Sequence, residues 1–256
     1  MILADDSFAT IVEAVREGRG IFDNIRKFLR YLLSSNMGEV FTVFFGVVLA
    51  GVSGLSSGDG SLVLPLLATQ ILWINLVTDA GPALAMGLDP TDDDVMSRRP
   101  RRLDERVIDG AMWSNVLQTG LVMAAATLLA LDMYLPGGLV EGTRDLDSAR
   151  TAAFTTLVFA QLFNCFNARS DQASAFRGMF TNAWLWGAIA LSALLQLAVV
   201  HLGVLNAAFG TVPLDAGQWL ASIALASSVL WYGELRKLVL RLVRGQAGAA
   251  AAGTAR

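Results

Sequence analysis

Cysteine and histidine are nearly missing from this sequence: Cys165 and His201 are the sole representatives in 256 residues. A single cysteine excludes an intrachain disulfide. Charge is scarce as well, at 16% of residues against 54% hydrophobic and a mean hydropathy of +0.54, which excludes a water-soluble globule of this length. Nor is there a basic excess. A formal charge of -3 and a pI near 5.2 leave no electrostatic footprint for a nucleic-acid partner. The first thirty residues lack the short apolar core of a secretory signal, being charged and mixed in character.

What is present is a series of long apolar runs. Residues 31–52, 62–88, 109–134, 151–168, 182–203 and 217–235 carry almost no Lys or Arg, and at about 1.5 Å per residue each is long enough for a hydrocarbon core of about 30 Å. The expected fold is therefore all-α, a polytopic bundle of six transmembrane helices in a lipid bilayer with both termini on one side. Arg16, Arg19, Arg26, Lys27 and Arg30 precede the first run; Arg98, Arg99, Arg101, Arg102 and Arg106 fall between the second and third. Arg169, Arg177, Arg236, Lys237, Arg241, Arg244 and Arg256 join them, leaving Arg144 and Arg150 opposite, so the positive-inside rule makes both termini cytoplasmic.

Other features need no special role. Trp73, Trp113, Trp184, Trp219 and Trp231 read as interfacial anchors or packing residues, His201 as an interface residue and Cys165 as small buried filler. The Ala/Gly-rich stretch from Gly245 to Arg256 reads as disordered. Near the start, Ser7 is a plausible cap for a helix running to about Glu17. Ile21, Phe22, Ile25, Phe28, Leu29 and Leu32 then recur at helical spacing and lead into the first span, forming an amphipathic stalk whose apolar stripe calls for a cytoplasmic partner or an upstream domain.

The informative residues are those that should not sit in hydrocarbon. Glu39 lies inside the first span, and Asp79 is the one charged residue between Asp59 and Asp89. At mid-bilayer an ionised carboxylate costs roughly 2.5 to 3.5 kcal/mol on the insertion scale, so each needs an offsetting partner. Asn36 shares a helix face with Glu39, and Asn75 shares one with Asp79, which Thr78 immediately precedes. Pro82 cannot donate to the Thr78 carbonyl, and with Gly81 it should loosen the helix beside Asp79; Gly38 offers a similar weak point beside Glu39. Gln161 and Asn164 of the fourth span can add amide oxygens. Every group in this set coordinates through oxygen, which selects Ca²⁺ or a similar hard cation over Zn²⁺ or Cu⁺.

The runs Met1-Ile-Leu-Ala-Asp-Asp-Ser-Phe-Ala-Thr-Ile-Val, Arg30-Tyr-Leu-Leu-Ser-Ser-Asn-Met-Gly-Glu and Ile71-Leu-Trp-Ile-Asn-Leu-Val-Thr-Asp closely resemble P-type cation-transporting ATPases of the calcium-pump branch, the sarco/endoplasmic reticulum and secretory-pathway type. The resemblance covers nearly the whole chain. It implies that the six spans correspond to helices five to ten of that family, that residues 1–20 end its phosphorylation domain, that residues 21–108 hold the stalk, two spans and a cytoplasmic loop, that residues 109–237 form a four-helix membrane domain, and that residues 238–256 are a tail. It makes Asn36, Glu39, Asn75, Thr78 and Asp79 cation ligands, and places Gln161 where those pumps carry a glutamate. The loop from Asp89 to Pro100, with Asp92, Asp93 and Asp94, looks like the family's coupling loop.

The Asp-Lys-Thr-Gly-Thr phosphorylation motif, the Thr-Gly-Glu actuator loop, the nucleotide domain and helices one to four have no counterpart here, and Gly58-Asp59-Gly60 reads as a turn. The resemblance thus implies a partner N-terminal half, with ATP and Mg²⁺ used only by the complete enzyme, and a multi-pass location in a bacterial plasma membrane. Two rival readings are a free-standing six-helix secondary cation transporter or channel, which calls for an internal repeat that this sequence does not display, and a non-catalytic structural or regulatory membrane subunit, whose polar residues in the first two spans would tolerate apolar replacement without loss of ion binding.

Overall fold

The computed structural model describes residues 8–50, 64–90, 95–98, 106–136, 139–140, 142, 145–171 and 173–253, with side chains as far as residue 243. Ser7, the Gly58-Asp59-Gly60 turn and Asp92 to Asp94 lie outside the described residues. The architecture is all-α: α1 (Phe8–Val48), α2 (Ala68–Trp73), a π-helical turn (Ile74–Thr78), α3 (Ala80–Gly87), α4 (Gly110–Asp132), α5 (Leu146–Ala168), α6 (Ala183–His201), α7 (Gly203–Phe209) and α8 (Ala216–Gly253).

No proline interrupts α1, so the expected break near Glu17 is absent and one helix of 41 residues runs from the stalk into the bundle. At 1.5 Å per residue it is about 60 Å long, roughly twice a hydrocarbon core. Its outer part bares Phe8, Ile11, Val12 and Val15, whereas Phe28 and Leu32 pack on Met86, Cys165 and Leu185. At the other end of the chain α8 continues to Gly253, through the stretch that composition marked as disordered, because alanine carries the least conformational cost in a helix.

Three of the described helices, α1, α4 and α6, are long and apolar enough to cross a membrane. α5 is not among them, for a physical reason. It is buried along nearly its whole length and carries Thr151, Thr155, Thr156, Gln161, Asn164 and Asn167 on surfaces that meet other helices and not lipid. The main core forms around it, from Phe154, Leu157 and Val158 of α5 with Met123 and Leu131 of α4 and Val229 of α8. The second apolar run, expected as one span over residues 62–88, is instead divided into α2, the π turn and α3.

α1 and α4 cross with almost no space between backbones. A Cβ placed on Gly120 would lie 2.8 Å from Met37 Cβ and 3.0 Å from the Met37 carbonyl carbon, while one on Gly38 would lie 2.9 Å from Met123 Sδ. Small residues at a helix crossing are what permits such an approach in a membrane protein.

Many of the basic residues counted in the sequence also tie one end of the bundle together, the end that holds the first half of α1. Arg26 pairs with Asp109 at 2.7 Å, Arg98 with Asp23 at 2.6 Å and Arg30 with Asp171, while Arg19 donates to the Val95 and Arg98 carbonyls at 2.9 and 3.0 Å. The densest knot surrounds Asp89, just beyond α3. Its carboxylate accepts from Lys27 of α1 at 2.8 Å, from Arg169 after α5 at 3.0 Å and from Asn182 before α6 at 3.0 Å, and its carbonyl accepts from Asn24 at 2.8 Å.

Gly120→Ala should destabilise the bundle by about 1 to 3 kcal/mol, the usual range for overpacking, because its methyl meets backbone atoms of α1. Gly38→Ala should cost somewhat less, since its contacts are all with the Met123 side chain, whose Sδ can move although Cβ at 3.0 Å cannot, and none is with backbone. Thermal unfolding of the two variants in the same detergent checks the order.

Candidate cation site

The second apolar run changes character where its polar residues cluster. Over Ile74–Thr78 the backbone widens into a π turn, in which the Asp79 amide reaches back five residues to the Ile74 carbonyl at 2.9 Å. Pro82 disturbs the next turn: it has no N–H for the Thr78 carbonyl, and that oxygen accepts instead from the Ser192 hydroxyl of α6 at 3.3 Å. The loosening expected from Pro82 is thus present on its N-terminal side, but the freed carbonyl is taken up by a neighbouring helix. The Thr78 hydroxyl donates to the Ile74 carbonyl at 3.0 Å and keeps its lone pairs free to accept.

The π turn leaves Asp79 facing α1. Asp79 and Glu39 are 1% and 4% exposed, which removes both from bulk solvent. Their partners cross between helices. Asn75 of the π turn donates to Glu39 Oε2 at 2.6 Å, while Tyr31 of α1 donates to Asp79 Oδ1 at 2.7 Å. Gln161 of α5 closes a third side by donating to Glu39 Oε1 at 3.1 Å. Two acids from successive helical segments are therefore laced together through neutral donors.

The lacing is incomplete in an informative way. Asp79 Oδ2, Gln161 Oε1 and the Ser35 hydroxyl are buried and have no close hydrogen-bond partner among the described residues, with Ser35 lying beside the Asp79 carboxylate. A buried acceptor left in this state costs about 1 to 3 kcal/mol, more for a charged group. No Lys, Arg or His forms a salt bridge to Glu39 or Asp79 among the described residues. A hard cation is the ligand that such a set of oxygens fits.

Of the residues singled out by sequence, the fold brings Glu39, Asn75, Asp79 and Gln161 together, with Thr78 adjacent in the chain. Asn36 stands apart: it is exposed and donates to the Leu32 carbonyl of its own helix at 2.8 Å. Asn164 donates to the Ser34 hydroxyl at 2.7 Å, one turn further toward the stalk than Gln161. Sequence reasoning missed Tyr31, Ser35 and Ser192. The first two were within reach, since Tyr31, Ser35 and Glu39 succeed one another at four-residue steps on a single face of α1. Ser192 was not, because nothing local links α6 to Thr78.

Cys165 is buried and turned to the Gln161 carbonyl, as its reading as filler expects, and His201 accepts from Trp219 at 3.2 Å near the far end of α6.

Residues 63–239 match the family model described as the C-terminus of cation-transporting ATPases. The chain belongs to this family. It is the C-terminal membrane domain of a P-type cation-transporting ATPase, and a multi-pass membrane protein. It is 40% identical over 227 residues to a calcium-transporting ATPase of Bacillus subtilis, an alignment covering 89% of this chain and 24% of the relative. A probable cation-transporting ATPase F of Mycobacterium tuberculosis is 37% identical, with 90% of this chain and 24% of the relative covered. An endoplasmic reticulum-type calcium-transporting ATPase of Arabidopsis thaliana is 34% identical, with 94% and 26% covered. The chain thus spans about a quarter of the length of the relatives it matches.

Outside the membrane segments of this P-type ATPase domain, Asp89 is the acid most enclosed by opposite charge. Burial pushes its carboxyl up, but the hydrogen bond and charge of Lys27 and the charge of Arg169 outweigh that and hold it below the ordinary aspartate range. A depressed folded-state value means that the stabilisation is complete above the unfolded-state pKa, about 3.9, and is lost as pH falls through the folded value. The unfolding temperature in detergent should therefore show an acid limb below about pH 4, and Asp89→Asn should flatten that limb.

Proposed function

We propose that this domain forms the cation-binding part of an ATP-driven pump that carries Ca²⁺, with Glu39 and Asp79 as the charged ligands and Asn75, Thr78, Gln161 and Asn36 as neutral ones. The observation that carries this reading is the convergence of two buried carboxylates, from separate helices, on neutral donors alone, with acceptor oxygens to spare. Two carboxylates plus the amide and hydroxyl oxygens beside them approach the six to eight oxygens that Ca²⁺ takes. The relatives named for calcium transport support the choice of ion.

On this reading the six apolar runs are transmembrane, with both termini cytoplasmic, and the exposed apolar residues of outer α1, Phe8, Ile11, Val12 and Val15, meet the catalytic part of the complete pump. Asn36 and Asn75 are both exposed, and membrane helices from the rest of the pump cover that side. Asn36 then needs only a rotamer change to turn from the Leu32 carbonyl toward the ion. ATP hydrolysis and its Mg²⁺ belong to the remaining three quarters of the protein, and phosphorylation there alters cation affinity here by shifting α1 against α3. With an amide at Gln161 the site has two carboxylates, which matches one divalent cation in charge.

In the complete pump, Asp79→Asn and Glu39→Gln should each lower calcium uptake into sealed vesicles by 10-fold or more, whereas Gln161→Ala should raise the calcium concentration for half-maximal uptake by about 3- to 10-fold, the loss of one neutral ligand at about 1 kcal/mol. Uptake by Asp79→Asn at the level of the unaltered pump would remove the site assignment.

A further inference from the structure

α3 lies between two fixed points. At its N-terminal end is Asp79, held by Tyr31; just beyond its C-terminal end is Asp89, held by Lys27 and, through its carbonyl, by Asn24. Asn24 also donates to the Gly87 carbonyl at 3.3 Å. All three holding residues belong to α1, and 24, 27 and 31 succeed one another at steps of three and four, so they form one face of that helix. The same face continues through Ser35 to Glu39. α3 is therefore clamped at both ends along the stripe that ends in the other carboxylate.

We infer that the Lys27–Asp89 ion pair is a positioning pair for the cation site: by pinning the stalk end of α3 to α1 it sets the axial register in which Asp79 meets Glu39, and so sets cation affinity from a distance. This rests on the reading of Glu39 and Asp79 as ligands.

Three features make the pair suited to that work. It is enclosed, with Lys27 and Asp89 side chains 8% and 3% exposed, so solvent and salt screen it little. It is stiff along its length, because α1 from Lys27 to Glu39 is unbroken helix and α3 supplies two turns between Asp79 and Asp89. On the N-terminal side of Asp79 is the π turn, whose bonds close over five residues in place of four, so α3 is the regular helix that joins Asp79 to a second fixed point on α1.

Asp89 has a second cation, Arg169, at 3.0 Å, which separates the α1 tie from the burial of a charge. Lys27→Gln leaves Asp89 paired with Arg169 and removes the charged tie to α1, with the Asn24 hydrogen bonds to the Gly87 and Asp89 carbonyls left in place. Asp89→Asn, in contrast, leaves the buried Lys27 without its carboxylate and also weakens the Arg169 contact, so it is the poorer probe.

The test is calcium-dependent ATPase activity of the complete pump in detergent, with Lys27→Gln, Lys27→Arg, Arg169→Gln and Asp79→Asn compared. Lys27→Gln should raise the calcium concentration for half-maximal activity 3- to 10-fold while leaving the maximal rate within about twofold, a separation that general loss of folding does not produce. Lys27→Arg, which keeps the charge, should restore the affinity. Arg169→Gln, which leaves the α1 tie in place, should shift it less than Lys27→Gln. Unchanged calcium affinity in Lys27→Gln, an equal shift in Arg169→Gln, or a fall in maximal rate alone would overturn the inference. Asp79→Asn separates the two readings: if it abolishes calcium activation while Lys27→Gln has no effect, the site stands and the positioning role falls; if it leaves activation intact, the site assignment itself falls and the positioning role with it.

Discussion

Two acids held out of solvent, with no base paired to them among the described residues, are the constraint around which this domain is arranged. Burial of ionised carboxylates in a low dielectric is among the costlier things a membrane protein does. Here the available hydrogen bonds, from Tyr31, Asn75 and Gln161, are all neutral and leave Asp79 Oδ2 without a donor among the described residues. The domain is not short of cations. Lys27, Arg30 and Arg169 are all buried or nearly so, yet they are committed to Asp89 and Asp171 at the stalk end. Positive charge is satisfied at one end of the bundle and withheld from its middle, an arrangement that a structural core would not need.

The helices around the acids differ in how much they can yield. α1 and α4 are locked together at Gly38 and Gly120, where neither backbone can approach further. Opposite them the segment from α2 to α3 is divided by the π turn and by Pro82, and its Thr78 carbonyl is bonded by Ser192 of α6. A rigid wall therefore faces a deformable one.

The basic residues of the stalk end have two consequences from one chemistry. Their distribution along the sequence is what orients a membrane protein during insertion, and their side chains then meet Asp23, Asp89, Asp109 and Asp171 as the bundle closes. Most surface ion pairs contribute little. The Asp89 knot differs because it is enclosed and joins α1, the end of α3, the turn after α5 and the start of α6 at one carboxylate.

The all-helical class and the two acids were legible in residue order alone, because an apolar run long enough to span and a carboxylate inside it are local facts. So was the fault at Pro82, whose missing N–H is a property of the residue. The resemblance to calcium pumps was carried by contiguous motifs and needed no fold. Tertiary structure decided the rest. Only packing could show that α5, one apolar run among six in the sequence, is the buried centre of the bundle, since its threonines and amides are covered by neighbours far away in the chain. Only packing could turn Asn36 to its own backbone while bringing Asn75 across to Glu39, and give the Thr78 carbonyl to Ser192. The division has one cause: spacing along a helix fixes which residues share a face, but which face meets which partner depends on contacts between segments that the sequence does not place side by side.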